Sequence, residues 1–233
     1  MVLRAYAAGI FPMADTRDAP GVYWVEPKYR GVLPLDGFHL SRTLRKLIVR
    51  DRYRVTADRA FADILALCAE SAADRTETWI NGPIEAVFLE LHALGFAHSV
   101  EVWDGDRLAG GLYGLAIGGA FFGESMVSRA PSASKVALAW LVARLRAGGY
   151  RLLDCQFQTD HLESMGAVEI PRARYSALLS DAIGVDSAGV VTGADFGALD
   201  RLAVGDGGAP PPADTVSGPP SGKDIVQLLG HTS

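Results

Sequence analysis

Hydrophobic and polar positions repeat along this chain with two periods, and each period predicts a type of element. A period near 3.6 indicates helices and a period of two indicates strands. The helical period predicts amphipathic helices over residues 40–52, 58–69, 83–94, 132–147 and 171–182. The alternating period predicts strands over residues 99–103, 107–117, 120–127 and 151–157. Short turns join the first three strands, so we expect them to form an antiparallel meander.

This order of elements predicts an α+β fold with a mixed, mainly antiparallel sheet flanked by helices. We expect residues 1–80 to form a small N-terminal α/β subdomain and residues 81–184 to form the larger catalytic domain. Residues 205–224 are rich in Gly and Pro and have few apolar side chains, as is typical of a disordered linker. We therefore interpret residues 185–233 as a flexible tail. Its last apolar patch, Ile225 to Leu229, is either a frayed end or, given its helical spacing, a segment that docks back onto the body.

Composition narrows the class and the compartment of the protein. A chain of 233 residues with 49% hydrophobic residues can bury the core of a soluble globular protein. Cys68 and Cys155 lack the spacing of a disulfide framework or a zinc site, and the N-terminus does not have the pattern of a signal peptide. No apolar run is long enough to span a bilayer. We expect a cytoplasmic protein with no membrane partner.

Charge is distributed unevenly along the chain. Residues 1–60 contain 11 Lys or Arg and 6 Asp or Glu, a net charge of +5, whereas the remainder carries −10. The positive charges lie mainly on the outer face of the helix at 40–52 and just after it, at Arg42, Arg45, Lys46, Arg50, Arg52 and Arg54. Such a face is either simply solvated or able to attract a phosphate backbone.

The sequence contains no motif for a metal or a nucleotide cofactor. The histidines show no metal-ligand spacing, and no serine lies in a nucleophile elbow. The Gly-Gly pairs at 110–111 and 118–119 lie among the strands rather than between a strand and a helix, so they do not form a phosphate-binding loop. We therefore expect chemistry that needs neither a metal nor a cofactor.

Polar residues on the later strands are the candidates for chemistry. Strand alternation predicts that Phe122, Glu124 and Met126 share one face of their strand, and that Asp154 and Gln156 share a face of the next one. Glu124 could orient an ammonium group or a ribose hydroxyl. Asp154 could accept a proton, or it could only bind backbone groups at the end of its strand.

Motifs spread over residues 5–167 resemble one known family. They are Ala5-Tyr6-x-x-Gly9-Ile10-Phe11-Pro12, His39-x-Ser41-Arg42, Thr78-Trp79-Ile80, His98-Ser99-Val100-Glu101-Val102-Trp103, Gly110-Gly111-x-Tyr113-Gly114, Phe122-Gly123-Glu124-Ser125-Met126, Ala133-Ser134-Lys135, Asp154-Cys155-Gln156 and His161-Leu162-x-Ser164-x-Gly166-Ala167. The family is leucyl/phenylalanyl-tRNA–protein transferase. The resemblance implies a fold related to the GNAT acyltransferases and transfer of Leu or Phe from aminoacyl-tRNA to a protein N-terminus.

The resemblance also implies roles for particular residues. Asp154 and Gln156 would form a relay that helps to remove the proton of the attacking amine, while Trp24 and Trp79 would stack on the terminal aminoacyl-adenosine. The basic helix would contact the acceptor stem of the tRNA. The hydrophobic pocket for the donor side chain, with the adjoining donor contacts, would be formed by Leu112, Phe121, Ser125, Met126, Leu141 and Leu153.

The implied reaction is consistent with the missing cofactor motifs. An ester donor gives an amide product, so no nucleotide is needed, and an α-amine with an ordinary pKa of about 7.7 to 8.0 is partly neutral near pH 7. We expect acceptors with N-terminal Arg or Lys, donors charged with Leu, Phe or Met, a monomeric enzyme and a role in marking proteins for proteolysis. Two alternatives stay open: a coenzyme-A-dependent N-acetyltransferase and a noncatalytic RNA-binding module.

Overall fold

The computed structural model describes residues 1–70, 78–184, 193–202 and 220–230. The α-helices in these residues are α1 (Val2–Ala7), α2 (Arg42–Val49), α3 (Phe61–Ala69), α4 (Gly82–Ala93), α5 (Ala133–Ala147), α6 (Asp160–Glu163), α7 (Arg172–Ile183), α8 (Ala198–Leu202) and α9 (Gly222–Gly230). The strands are β1 (Phe11–Met13), β2 (Tyr23–Val25), β3 (Tyr29–Val32), β4 (Arg54–Ala57), β5 (Ala97–Asp104), β6 (Arg107–Ile117), β7 (Ala120–Ser128), β8 (Leu152–Gln156) and β9 (Val168–Pro171).

One seven-stranded sheet organises these elements. Its strand order is β4-β5-β6-β7-β8-β3-β9, and β1 pairs separately with β2. All neighbouring strands of the large sheet are antiparallel except β7 and β8, which run parallel. The predicted mixed, mainly antiparallel sheet and its β5-β6-β7 meander are confirmed. No helix in the described residues has both the length and the apolar composition needed to cross a membrane.

Each face of the sheet buries its own hydrophobic core. The core on one face is built on α5, which is buried along nearly its whole length and packs with α2, α8 and α9. The core on the opposite face lies under α1, α3, α4 and α7. Burial of apolar surface at about 25 cal/mol per Å² makes both layers stabilising. The sheet is therefore fixed from both sides, which gives the polar residues of β7 and β8 a rigid support.

The N-terminal residues contribute strands to this same sheet. Strand β3 lies between β8 and β9, with Gly31 opposite both Gln156 and Glu169. Strand β4 forms the opposite edge, beside β5. The sequence pattern does not predict β3, because a four-residue strand with a charge and a glycine shows no clear alternation. Its position beside β8 brings Arg30 next to the predicted site.

A β-bulge interrupts the pairing of β6 with β7. Tyr113 lies opposite Ser125 and Gly114 opposite Gly123, so Glu124 has no residue across from it. A bulge inserts one extra residue and reverses the alternation beyond it. Phe122 therefore packs in one core and Met126 against the other. The prediction that Phe122, Glu124 and Met126 share a face is wrong for this reason.

The last described segment is a docked helix rather than a frayed end. Ile225, Val226 and Leu229 of α9 are buried against α2 and α5. The helix is fixed at both ends: the Gly222 N–H donates to Asp51 Oδ1 at 2.7 Å, and Arg146 Nη1 donates to the carbonyls of Leu228 and Leu229 at 2.9 and 3.2 Å. The frayed-end interpretation is wrong here, and the alternative, that the patch docks at helical spacing, is confirmed. Most of the predicted linker lies outside the described residues.

Candidate active site

A cleft of about 810 Å³ opens where β7 and β8 stop pairing. Their parallel ladder covers only Ala120 to Phe122 against Leu152 to Asp154. Beyond it, residues 123–128 and 155–157 line the cleft instead of pairing with each other, and Leu153 lines it from within the ladder. The first half of α5 forms another wall and supplies Leu138 and Leu141 to an apolar floor. The cleft can therefore hold an apolar group beside the polar ends of two strands.

Glu124 is the buried carboxyl group in the wall of the cleft. Its Oε1 accepts hydrogen bonds from the Tyr6 hydroxyl at 2.8 Å and from Gln156 Nε2 at 3.0 Å. Its Oε2 is buried and has no hydrogen-bond partner among the described residues. Burial raises the pKa of Glu124 to about 8, although the hydrogen bonds from Tyr6 and Gln156 lower it. This carboxyl group can exchange a proton near neutral pH, and among the described residues no donor occupies its second oxygen.

Asp154 is enclosed by donors. Arg30 Nε donates to Oδ1 at 2.9 Å and Arg30 Nη2 donates to Oδ2 at 2.7 Å. The Tyr175 hydroxyl donates to Oδ2 at 2.8 Å, and the Gln156 backbone N–H donates to Oδ1 at 2.7 Å. Asp154 is fully buried and does not line the cleft. Its carboxylate is therefore saturated, and the expectation that it accepts a proton from substrate does not fit this geometry.

Arg30 completes the environment of Asp154. The guanidinium is 1% exposed, lies between the rings of Phe11 and Tyr175 at 4.5 and 4.6 Å, and donates from Nη1 to the Gly9 carbonyl. Burial alone would lower the pKa of Arg30, but the hydrogen bonds and the negative charge of Asp154, with smaller contributions from Tyr175 and Glu124, together outweigh it and the pKa is raised. A bidentate pair between two buried charges holds its geometry tightly.

Asp154, held by Arg30, in turn holds the backbone of Gln156. The Gln156 backbone has φ of 61°, in the left-handed region that costs a non-glycine residue about 1 to 3 kcal/mol. The hydrogen bond from its N–H to Asp154 holds this conformation, and the side-chain amide reaches Glu124 and lines the cleft. The predicted pair thus divides into a support, Asp154, and a group facing the cleft, Gln156.

Most of the predicted donor-binding residues line this cleft. They are Trp79, Leu112, Ser125, Met126, Leu141 and Leu153. Two of the predicted donor-binding residues do not line it. Phe121 does not line the cleft and packs against Phe196 and Tyr150, within the core against which Met126 also packs. Trp24 lies on β2, is 39% exposed and does not line the cleft.

Four residues near the site were not among those predicted from the sequence. Met13, on β1, lines the cleft with Trp79. Tyr6 bonds Glu124, and Arg30 and Tyr175 bond Asp154. Tyr6 lies in one of the motifs that resemble the family, so the sequence could have indicated it as a site residue. Arg30 and Tyr175 gave no such signal, because a lone charge and a helix tyrosine are common on protein surfaces.

The predicted basic surface lies on α2 and β4. Ser41 Oγ caps α2 by accepting from the Leu44 N–H. Four cations of this surface are exposed and make no ion pair with a described residue: Arg42, Arg45, Lys46 and Arg50. Arg52 differs, since both its terminal nitrogens bind the Asp104 carboxylate at 2.7 and 2.8 Å. Arg54 lies over the Trp103 ring. Arg52 is therefore not a free cation, and the free positive charge is concentrated on α2.

An apolar floor below a carboxyl group and a carboxamide suits the transfer of an apolar acyl group to an amine. The floor would bind the side chain of the acyl group. Glu124 and Gln156 lie where an amine could approach the carbonyl of that acyl group. The fold and the cleft therefore define the protein as an acyltransferase.

Comparison with known proteins narrows this class to one family. The family model "Leucyl/phenylalanyl-tRNA protein transferase" matches residues 32–180, and the model of that family's N-terminal domain matches residues 1–28. The leucyl/phenylalanyl-tRNA–protein transferase of Rhizorhabdus wittichii is 59% identical over 241 residues, covering 100% of this chain and 97% of the relative. That of Zymomonas mobilis is 50% identical over 261 residues, with the same coverage. The chain belongs to the leucyl/phenylalanyl-tRNA–protein transferase family.

A solved structure of L-PGS from Bacillus licheniformis also matches, with a TM-score of 0.44 and 14% identity. It covers 78% of this chain and 76% of the other.

Proposed function

We propose that this protein transfers Leu, and also Phe and Met, from aminoacyl-tRNA to the α-amino group of proteins with N-terminal Arg or Lys. The observation that carries the proposal is the cleft, in which an apolar floor lies beside the unpartnered Oε2 of Glu124. The floor suits an apolar side chain, and the carboxyl group suits an amine. Membership of the family, with relatives aligned over the whole chain, supports the same activity.

In the mechanism we propose, the neutral α-amine attacks the ester carbonyl of the aminoacyl-tRNA. A C–N bond forms, the ester C–O bond breaks, and the tRNA leaves with a free ribose hydroxyl. The amine proton passes to Glu124 Oε2 and from there to the ribose oxygen. Gln156 orients the amine through its side-chain amide, and Asp154 holds Gln156 in place. Most of the rate enhancement comes from holding amine and ester together, a contribution of order 7 kcal/mol.

We also propose how the protein binds tRNA, which fold it has and where it acts. The exposed cations of α2 would bind the acceptor stem of the tRNA, because a concentrated basic face attracts a phosphate backbone. The parallel β7–β8 pair that opens into a cleft, with a bulge beside it, supports a GNAT-like fold. We further propose a cytoplasmic monomer that marks its protein substrates for N-degron proteolysis.

A transfer assay tests the activity directly. The protein is incubated with tRNA carrying labelled Leu and with a peptide that has N-terminal Arg, and the labelled peptide is measured. The matched control is the same peptide with an acetylated N-terminus, which we expect to remain unlabelled. Absence of transfer to the free peptide, while the Leu ester stays intact, would contradict the proposal. Acetylation of the peptide from acetyl-coenzyme A would instead support the acetyltransferase.

Because Trp79 lines the cleft and Trp24 does not, we expect their substitution to have different effects on activity. We expect Trp79→Ala to lower kcat/KM for aminoacyl-tRNA by about tenfold, because stacking of a base on an aromatic ring contributes about 1 to 3 kcal/mol. Trp24→Ala is the matched control and should change kcat/KM little, since Trp24 does not line the cleft. Equal losses in the two variants would restore the role that the resemblance gave to Trp24.

A further inference from the structure

A second polar part of the cleft carries positive charge and has no part in the mechanism above. Lys135, in the first turn of α5, and His161, in α6, both line the cleft. Lys135 makes no ion pair with any described residue, and the first turn of α5 contains no acidic residue. The Nε2 atom of His161 is buried and has no hydrogen-bond partner in the described part of the chain.

This positive region is unfavourable on its own. A cation in the first turn of a helix opposes the helix dipole, which is positive at that end. Burial, followed by the charge of Lys135, lowers the pKa of His161, so the two groups lie close enough to repel when both are charged. A bound anion would offset both the unfavourable interaction of Lys135 with the helix dipole and its repulsion of His161, because the anion would accept a hydrogen bond from each side chain.

The geometry of α5 fixes where such an anion would lie relative to the floor. Lys135, Leu138 and Leu141 follow one another at a spacing of three on the face that lines the cleft. Leu138 and Leu141 are almost fully buried, whereas Lys135 is partly exposed. At 1.5 Å per residue, Lys135 lies about 9 Å from Leu141 along the helix. The cation is therefore at the rim and the apolar floor is deeper.

We propose that Lys135 and His161 form a phosphate subsite, which binds the phosphate on the 5′ side of the terminal adenosine of aminoacyl-tRNA. This inference rests on the proposed function. With the aminoacyl side chain on the floor and the ester beside Glu124, the ribose points towards the rim, and that phosphate is the first anion beyond it. The same positive charge repels an N-terminal Arg or Lys, which directs the acceptor towards Glu124.

Two small donors test the subsite: leucyl-adenosine with a 5′-phosphate and leucyl-adenosine without one. In the unmodified protein we expect the phosphate to raise kcat/KM by about tenfold, as for a charge-assisted hydrogen bond. Lys135→Gln should lose this gain while keeping the rate for the donor without phosphate, and Lys135→Arg should retain most of it. Lys28→Gln removes an exposed charge outside the cleft and is the matched control.

The outcomes separate this inference from the function on which it rests. If the unmodified protein fails to transfer Leu even from full-length Leu-tRNA, the proposed function is wrong. If it transfers Leu from the tRNA but gains nothing from the 5′-phosphate, only the phosphate subsite is wrong. Equal losses with both small donors in Lys135→Gln would assign Lys135 a merely structural role. Competition by coenzyme A that disappears in Lys135→Gln would assign the cluster to a different donor and would also overturn the inference.

Discussion

Arg30→Met is expected to destabilise the protein by about 3 to 5 kcal/mol, because it leaves the buried Asp154 carboxylate without its cation. For a chain of this size each kcal/mol lowers Tm by about 2 to 4 °C, so a loss of roughly 10 °C should appear in thermal unfolding. The double variant Arg30→Met/Asp154→Asn should recover part of this loss, since it removes the unpaired charge. Because the two residues are in contact, their effects should not add.

The same variant is expected to lower turnover without changing its pH dependence. Losing Arg30 frees Asp154 to move, and Gln156 then loses the hydrogen bond that holds its left-handed backbone. We expect kcat to fall by about tenfold or more, as a misplaced group near the reacting atoms does. If Asp154→Asn abolished turnover while folded Arg30→Met stayed fully active, Asp154 would be the proton acceptor and the supporting role would be wrong.

Arg144 provides the matched control for Arg30. It is also a buried arginine with both terminal nitrogens on a carboxylate, that of Asp200, and it lies over the ring of Phe196. It does not line the cleft. Arg144→Met should therefore lower Tm but leave the kcat of the folded protein unchanged. A fall in kcat as large as that of Arg30→Met would mean that the loss of stability alone explains both results.

Local patterns predicted those parts of the fold that depend on neighbours in sequence. The β5-β6-β7 meander follows from alternation and short turns, and α5 follows from a long apolar period. The floor residues Leu141 and Leu153 were found because they lie on these strong elements. Glu124 and Gln156, which the sequence singled out as candidates for chemistry, both line the cleft.

The features that the sequence did not predict depend on contacts between distant residues. Arg30 reaches Asp154 across 124 residues, and Tyr6 reaches Glu124 across 118. Strand β3 exists because β8 and β9 pair with it on both sides, not because its own four residues favour a strand. The bulge at Glu124 is a property of two strands together. Period-two reasoning on one strand therefore placed Phe122 and Met126 on the same face.

Glu124→Gln is expected to lower kcat/KM by about 10² to 10⁴-fold, the usual contribution of a general base. The side chain keeps its shape and can still accept from Tyr6, so the loss reports the proton transfer. In the unmodified protein both the amine, with a pKa of about 7.7 to 8.0, and Glu124, with a pKa of about 8, must lose a proton. The slope of log(kcat/KM) against pH should approach about two below pH 8, and the variant should show a slope of about one.

Thermal unfolding checks the same carboxyl group independently of activity. The folded pKa of Glu124 is raised above the unfolded value of about 4.3, so stability is lost as pH rises from that value through about 8. Glu124→Gln removes this loss, and its Tm relative to the unmodified protein should therefore be higher at pH 8 than at pH 5.

Glu101 provides the control variant for the kinetic pH slope, because it is a fully buried glutamate that is bonded to Thr56 and Ser99 away from the cleft. Glu101→Gln should keep the pH slope of about two. An unchanged slope in Glu124→Gln would remove Glu124 from the proton transfer and leave it the task of binding the amine.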